Sequence, residues 1–150
     1  STLHTNDAPS AITRLIEMDI EPFLVGSALD SVMAQRLARR LCDRCKTAYQ
    51  PNAQDLMHLD MGYDGSYAPP TLFAPVGCTA CSNTGYRGRV ALHEIMPVSE
   101  EIERLTVSRA SSLEIKHTAV AQGMSTLRVD GWEKARLGLT SIEEILRVVA

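Results

Sequence analysis

Two Cys-x-x-Cys pairs constrain this chain more than any other feature. Cys42 and Cys45 lie in "LCDRCK", and Cys78 and Cys81 in "GCTACSNTGYRGR"; these are the four cysteines in 150 residues. A Cys-x-x-Cys turn aims two sulfurs at one point, so two such turns can close a tetrahedral site with metal–sulfur bonds of about 2.3 Å. Residues 46–77 separate the pairs, a longer interval than a compact zinc ribbon has. That interval carries Pro51, Pro69, Pro70 and Pro75 and few apolar residues. It reads as an excursion that cannot pack by itself, with a metal in place of the missing core. Gly77 and Gly85 are expected to let the knuckles turn tightly. Four thiolates around Zn²⁺ leave a net charge of about −2, which Arg44, Lys46, Arg87 and Arg89 stand ready to offset.

Other readings of the cysteines are weaker. "STLHTND" has no charged stretch leading into an apolar one, so no secretory signal is visible and disulfides are disfavoured. A thioredoxin-type redox pair does not suit two pairs in loops. Reduced thiols without metal are the bland alternative. Iron competes with zinc, because a tetrahedral four-sulfur site accepts either. A catalytic zinc is disfavoured, since four cysteines leave no open position.

The totals fit one globular domain. Net charge is −3 and 45% of residues are apolar, so there is no global attraction to nucleic acid or anionic lipid. No apolar run approaches the roughly 20 residues of a membrane span. The chain lacks an initiator Met and opens in mid-pattern, as expected of a piece of a longer protein.

The pattern predicts mixed α/β structure, mostly α. Asp7 caps a first helix with Ile12, Leu15 and Ile16 on one face. "DIEPF" breaks it, and Pro22 opens a second. Val32–Leu37 leans to strand. Ala53–Leu59 is expected to be a short helix and "GRVALHEIM" a strand. Ser99 caps a helix reaching about Val107. Ser111 with Glu114 forms a capping box for a helix that Gly123 ends. "TLRVDGWEKARLG" is a further helix, weakened at Gly131 and stopped at Gly138. Thr140 with Glu143 is expected to box the last helix, whose stripe is Ile142, Ile145, Leu146 and Val149. The doublets Glu100-Glu101 and Glu143-Glu144 read as helix-dipole partners rather than acid–base catalysts. His58 and His117 read as surface or packing residues. His93-Glu94 makes no metalloprotease motif, because Pro97 stands where the second His is needed. No Gly-Lys-[Ser/Thr] occurs, so the phosphate loop is missing, and the chain by itself is not expected to hydrolyse nucleotide.

With those residues in place, "STLHTNDAPSAITRLIEM", "AQRLARRLCDRC" and "GCTACSNTGYRGRVALHEIMPVSEEI" resemble the secretion ATPase family. These are the hexameric bacterial motors of type II secretion and type IV pilus assembly. The likeness covers nearly the whole chain; "TGYRGR" and Glu94 are its most specific part. It implies the C-terminal portion of a RecA-like ATPase domain with an inserted four-cysteine subdomain and a C-terminal helical bundle. Residues 1–41 would belong to the RecA-like core, 42–82 to the zinc-binding insertion, 83–98 to a return strand, and 99–150 to the helical subdomain.

The resemblance matches Cys42, Cys45, Cys78 and Cys81 to the family's zinc ligands. It sets His4 in a segment like the family's His box, near the nucleotide γ-phosphate. Arg36 would lie on a strand close to the nucleotide. The Walker motifs would lie upstream. The parent would use ATP and Mg²⁺ to drive pilin or pseudopilin assembly. It would be cytoplasmic, form a homo-hexamer, and dock on an inner-membrane platform protein and membrane-bound assembly factors, without nucleic acid. Retraction motors usually lack the cysteine subdomain, so the implied branch is secretion or assembly.

Two further function classes compete with the motor. A nucleic-acid-binding zinc ribbon would draw on Arg36, Arg39, Arg40, Arg44, Arg87 and Arg89. Against it stand the negative net charge, Asp55, Asp60 and Asp64 in the intervening loop, and Tyr63, Tyr67 and Phe73, which are not interleaved with arginines. A zinc-stapled protein-interaction module without any link to ATP is the other.

Overall fold

A computed structural model describes residues 1–59 and 61–149; Asp60 and Ala150 lie outside the described residues. The chain is mixed α/β, with helices predominating as the sequence pattern predicts. It divides into two compact units. One holds Ser1–Gln35 and His93–Thr126, the other Arg36–Leu92 and Leu127–Ala150. Two long strands, β1 (Ser31–Leu41) and β4 (Tyr86–Pro97), pair with each other and run through both.

The first unit is built from helices α1 (Ala8–Glu17), α2 (Pro22–Ala28), α4 (Glu100–Val107) and α5 (Ser112–Ala121). Their starts follow from side-chain caps. The Asp7 carboxylate accepts from Ser10 N–H at 3.0 Å, Ser99 accepts from Ile102 N–H at 3.3 Å, and Ser111 and Glu114 make the reciprocal box. Each satisfies a backbone donor that the first turn leaves orphaned. Ile12, Ile102, Ile115 and Met96 are fully buried. Glu94 is buried in the strand's inward alternation with Leu92 and Met96, and it accepts from Ala8 N–H at 2.8 Å.

The second unit holds a short antiparallel ladder of β2 (Thr47–Tyr49) and β3 (Leu72–Ala74), paired Thr47 to Ala74 and Tyr49 to Leu72. It also contains α3 (Ala53–Met57), α6 (Leu127–Arg136) and α7 (Ile142–Val148). Here the structure corrects the expectation that the excursion between the cysteine pairs has no core. Leu56, Met61, Tyr63 and Leu72 bury against Trp132, Ala135 and Ile145, which α6 and α7 supply from far along the chain. The apolar residues are few but large, and Trp132 alone represents about 3–5 kcal/mol against truncation.

Three further expectations shift. The predicted strand Val32–Leu37 extends to Leu41. Leu146 of the predicted stripe is exposed, while Ile145 is fully buried. The cap of α7 sits one residue later than the Thr140–Glu143 box: Ser141 accepts from Glu144 N–H, and the Thr140 hydroxyl instead donates to the Arg39 carbonyl at 2.9 Å. That one-residue slip turns Glu143 outward and Glu144 inward.

Glu144 is therefore no solvated dipole partner. Its side chain has no exposed surface. It accepts from Arg39 N–H at 2.8 Å, Arg39 Nη2 at 2.7 Å and Arg147 Nε at 2.8 Å. The Arg39 guanidinium also stacks over the Tyr86 ring, 4.2 Å from its centroid, and the Tyr86 hydroxyl lies 2.7 Å from that of Ser141. The cluster fastens β1 and β4 to α7. Burial works to raise the Glu144 pKa, but the hydrogen bonds from Arg147 and Arg39 outweigh it and hold the carboxyl at about 2.

Two predictions follow from this unit. A carboxyl lowered from its ordinary value contributes stability above the unfolded pKa and loses it as the pH falls toward the folded one. With both guanidiniums half in solvent, the contribution is about 2 kcal/mol. Glu144→Gln should cost about that much in urea unfolding at pH 7, and the difference from the natural chain should vanish between pH 4.5 and about 2. A constant difference across that window would show that Glu144 acts only by packing. Gly131 lies inside α6, and a Cβ there would stand 2.9 Å from Ile145 Cγ2. Helix propensity favours Gly131→Ala by about 1 kcal/mol, whereas overpacking costs about 1–3 kcal/mol. We expect a lowered melting temperature; a raised one would mean that α7 gives way freely.

Candidate metal centre

β1 ends at Leu41 and delivers Cys42 into a tight turn in which the Cys45 and Lys46 N–H groups both donate to the Cys42 carbonyl, at 3.2 and 3.0 Å. The second knuckle repeats the design. Cys81 and Asn83 N–H groups donate to the Cys78 carbonyl at 3.1 and 2.9 Å, and Thr79–Cys81 form one 3₁₀ turn. Two backbone ladders flank the knuckles. The β2–β3 pair closes the base of the excursion, and Cys42 N–H donates to the Gly85 carbonyl at 2.9 Å where β1 meets the approach to β4. Gly77 and Gly85 have φ of +116° and +76°, and a Cβ would meet Asn83 O at 2.7 Å and Pro75 Cβ at 2.5 Å. Both glycines bracket the second pair; the first knuckle has none of its own.

The four sulfurs converge. All lie within 4.8 Å of one another. Cys42 and Cys78 Sγ are 3.9 Å apart, Cys45 and Cys81 3.8 Å, and Cys78 and Cys81 3.8 Å. Disulfide sulfurs would be about 2.05 Å apart, and all four cysteines are free thiols. A tetrahedron with bonds of about 2.3 Å has edges of about 3.8 Å. The donor set thus fits a tetrahedral S₄ metal ion in both chemistry and spacing, and could hold zinc or iron.

Backbone donors already point at the sulfurs. Gly77 N–H donates to Cys45 Sγ at 3.3 Å, Cys78 N–H to Cys81 Sγ at 3.2 Å, and Gly85 N–H to Cys81 Sγ at 3.3 Å. Such bonds spread the negative charge of thiolates and orient ligands. Burial pushes the Cys81 thiol up, but the N–H groups of Cys78 and Gly85 outweigh it and bring it down to about 6. Burial raises Cys45 to about 11, against the opposing bond from Gly77. Of the basic residues expected to offset the charge, Lys46 is spent elsewhere: its ammonium donates to Asp43 at 3.0 Å and to the Gly138 carbonyl at 2.9 Å. Arg44, Arg87 and Arg89 are exposed. The N–H groups on sulfur are a compensation that composition alone does not reveal, although the positions of Gly77 and Gly85 hint at it.

The remaining site candidates are not gathered with the cysteines. His4 is exposed, ahead of α1, at an open depression of about 320 Å³ that Asn6, Ser10, Thr13 and Arg14 also line. It belongs to the first unit. Arg36 is half-buried on β1 and falls in the second. Sequence reasoning set Glu94 in the family resemblance and read Glu144 as a helix-dipole partner, and it foresaw the burial of neither carboxylate. An acidic residue at the inward-facing position between Leu92 and Met96 is a signal that strand alternation offers for the first.

Residues 1–147 match the family described as type II/IV secretion system protein. A type IV pilus assembly ATPase PilB of Thermus thermophilus is 45% identical over 97% of this chain. A type IV pilus assembly ATPase TfpB of Acinetobacter baylyi is 43% identical over 99%. A type II secretion system ATPase E of Vibrio cholerae is 41% identical over 99%. The chain spans 16%, 25% and 29% of the length of these three curated relatives. On both the family match and these identities, the chain belongs to the type II/IV secretion system protein family.

Proposed function

We propose that this chain is the part of a type II secretion or type IV pilus assembly ATPase that carries a structural Zn²⁺, held by Cys42, Cys45, Cys78 and Cys81. The observation that carries the reading is four sulfurs at tetrahedral spacing in a chain of this family. Relatives named for both processes match at 41–45% identity, which supports either branch. When bound, zinc supplies a cross-link and no reactive position, because all four ligands are protein thiolates. The chain's own groups do the rest: the knuckle turns aim the sulfurs, and the Gly77, Cys78 and Gly85 N–H groups stabilise them as thiolates.

In this reading residues 1–41 contribute to a RecA-like core, 42–82 form the zinc-binding insertion, 83–98 return to the core, and 99–150 make a helical subdomain. His4 stands beside the γ-phosphate of ATP, bound with Mg²⁺ by the complete protein, and Arg36 lies close to the nucleotide. The complete protein works as a homo-hexamer in the cytoplasm, at an inner-membrane platform protein and its membrane-bound assembly factors. No helix among the described residues is long and apolar enough to cross a membrane, which accords with a peripheral role.

Elemental analysis with thiol titration tests the metal. One zinc per chain with four protected thiols is expected, and Cys78→Ser should lose the metal. Structural zinc contributes on the order of 10 kcal/mol to folding, so the two knuckles and the β2–β3 ladder should exchange amide hydrogens far faster in that variant. Because Trp132 holds the middle of the excursion, protection there should fall less. Unchanged metal content and melting would remove the zinc site. In the full-length protein, His4→Ala should cut ATP turnover by about 10-fold or more and leave the melting temperature in place; natural turnover would take His4 out of the site.

A further inference from the structure

Glu94 is a carboxylate with 1% exposure on a strand, and burying a charge is expensive unless it is hydrogen-bonded. One bond it makes is specific. Its Oε1 accepts from Ala8 N–H at 2.8 Å across 86 residues of sequence. Ala8 opens α1, and its N–H is one of the orphan donors of a first turn. Asp7 already caps that helix through Ser10, so Glu94 is not needed to start it. What Glu94 adds is a fixed point between β4 and the place where the chain enters α1.

That place lies four residues after His4, and hydrogen bonds at Thr5 and Asp7 hold the intervening chain. The Thr5 hydroxyl donates to the Asp7 carbonyl at 3.2 Å. The Asp7 carboxylate receives Ser10 N–H and lies 3.5 Å from the Lys116 ammonium of α5. Glu94 and Lys116 both reach this segment from elsewhere in the unit. Lys116 is a long, partly exposed pair, whereas Glu94 is a short bond in a buried setting. Displacing a group by about 1 Å at a reacting centre can cost as much as about 100-fold in rate, so a short bond in a buried setting has leverage.

We propose that Glu94 is a positioning residue for His4: by anchoring Ala8 N–H it fixes the path of residues 4–7, and with it the placement of the imidazole during ATP hydrolysis. This rests on the role given to His4 above.

The test is a double-mutant cycle in the full-length protein, with steady-state ATPase kinetics and thermal melting of each variant. Glu94→Ala should lower kcat by about 10-fold or more, with KM for ATP changed less than about threefold. Glu94→Gln keeps an acceptor oxygen for Ala8 N–H and should restore most of the rate. His4→Ala combined with Glu94→Ala should be no slower than His4→Ala alone, because both remove the same contribution. If Glu94→Ala does not fold, Glu94→Asp keeps the charge but draws the acceptor back by one methylene, and the same loss of kcat is expected. Losses that multiply in the double variant, or a natural rate in Glu94→Ala or Glu94→Asp, would overturn the proposal. A natural rate in His4→Ala would instead strike at the role of His4, and a slow Glu94→Ala beside it would show that Glu94 acts by another route.

Discussion

Two backbone ladders run toward the same point, and the second unit depends on what holds them there. β2 and β3 pair where the chain leaves Cys45 and returns to Cys78, and the Cys42–Gly85 bond joins β1 to the approach to β4. Between them lie two knuckles made of Thr79, Ala80, Ser82, Asn83, Thr84, Asp43 and Arg44, none of which can build an apolar core. A β2–β3 ladder of three residues a strand is far too short to be stable alone. The four sulfurs lie within 4.8 Å of one another, close enough for a single ion to hold, and N–H groups of the turns point at sulfur and at the Cys42 and Cys78 carbonyls.

The other end of the unit is secured by charge. Glu144 has no exposed surface, and its two guanidinium partners, Arg39 and Arg147, are half in solvent. That geometry avoids the worst cost of a buried ion pair, since only one of the three charged groups gives up its water. It also explains why the pair tolerates stacking on Tyr86: the guanidinium has a free face once its edge is occupied by the carboxylate. The four cysteines flank the ends of β1 and β4, and the Glu144 cluster joins those same two strands to α7.

What could be read from the sequence follows from how local each determinant is. Asp7, Ser99 and the Ser111–Glu114 box are settled by three or four consecutive residues, and those helix starts agree with the sequence reading. The convergence of the cysteines was legible because spacing within each pair restricts where the sulfurs point. The core of the excursion was not. Leu56 and Leu72 look isolated in a polar stretch until Trp132, 60 residues beyond Leu72, is brought onto them. The start of α7 failed for a related reason. Thr140 and Ser141 are equally good caps locally, and Thr140 is diverted by the Arg39 carbonyl, a partner 101 residues away. Gly131 reads as a weak helical position and is instead the place where a Cβ would press on the Ile145 side chain at 2.9 Å.

The same logic shows how the knuckle and the helices are made to answer to one another. Lys46 follows Cys45 directly, and its ammonium reaches the Gly138 carbonyl just past the end of α6 while lying over the Phe73 ring of β3. Carbonyls beyond a helix C-terminus have no helical donor left and carry the negative end of its dipole, so a lysine there is favoured twice. A side chain at Gly138 would strike the Phe73 ring at 2.8 Å. First knuckle, β3 and α6 thus meet at a residue that contributes only backbone, and the apolar core around Trp132 begins one turn away along α6. A hydrogen bond and a ring contact thus tie the first knuckle to β3 and to the helix whose Trp132 packs on the excursion, so the cysteine turns and that core are joined through Lys46.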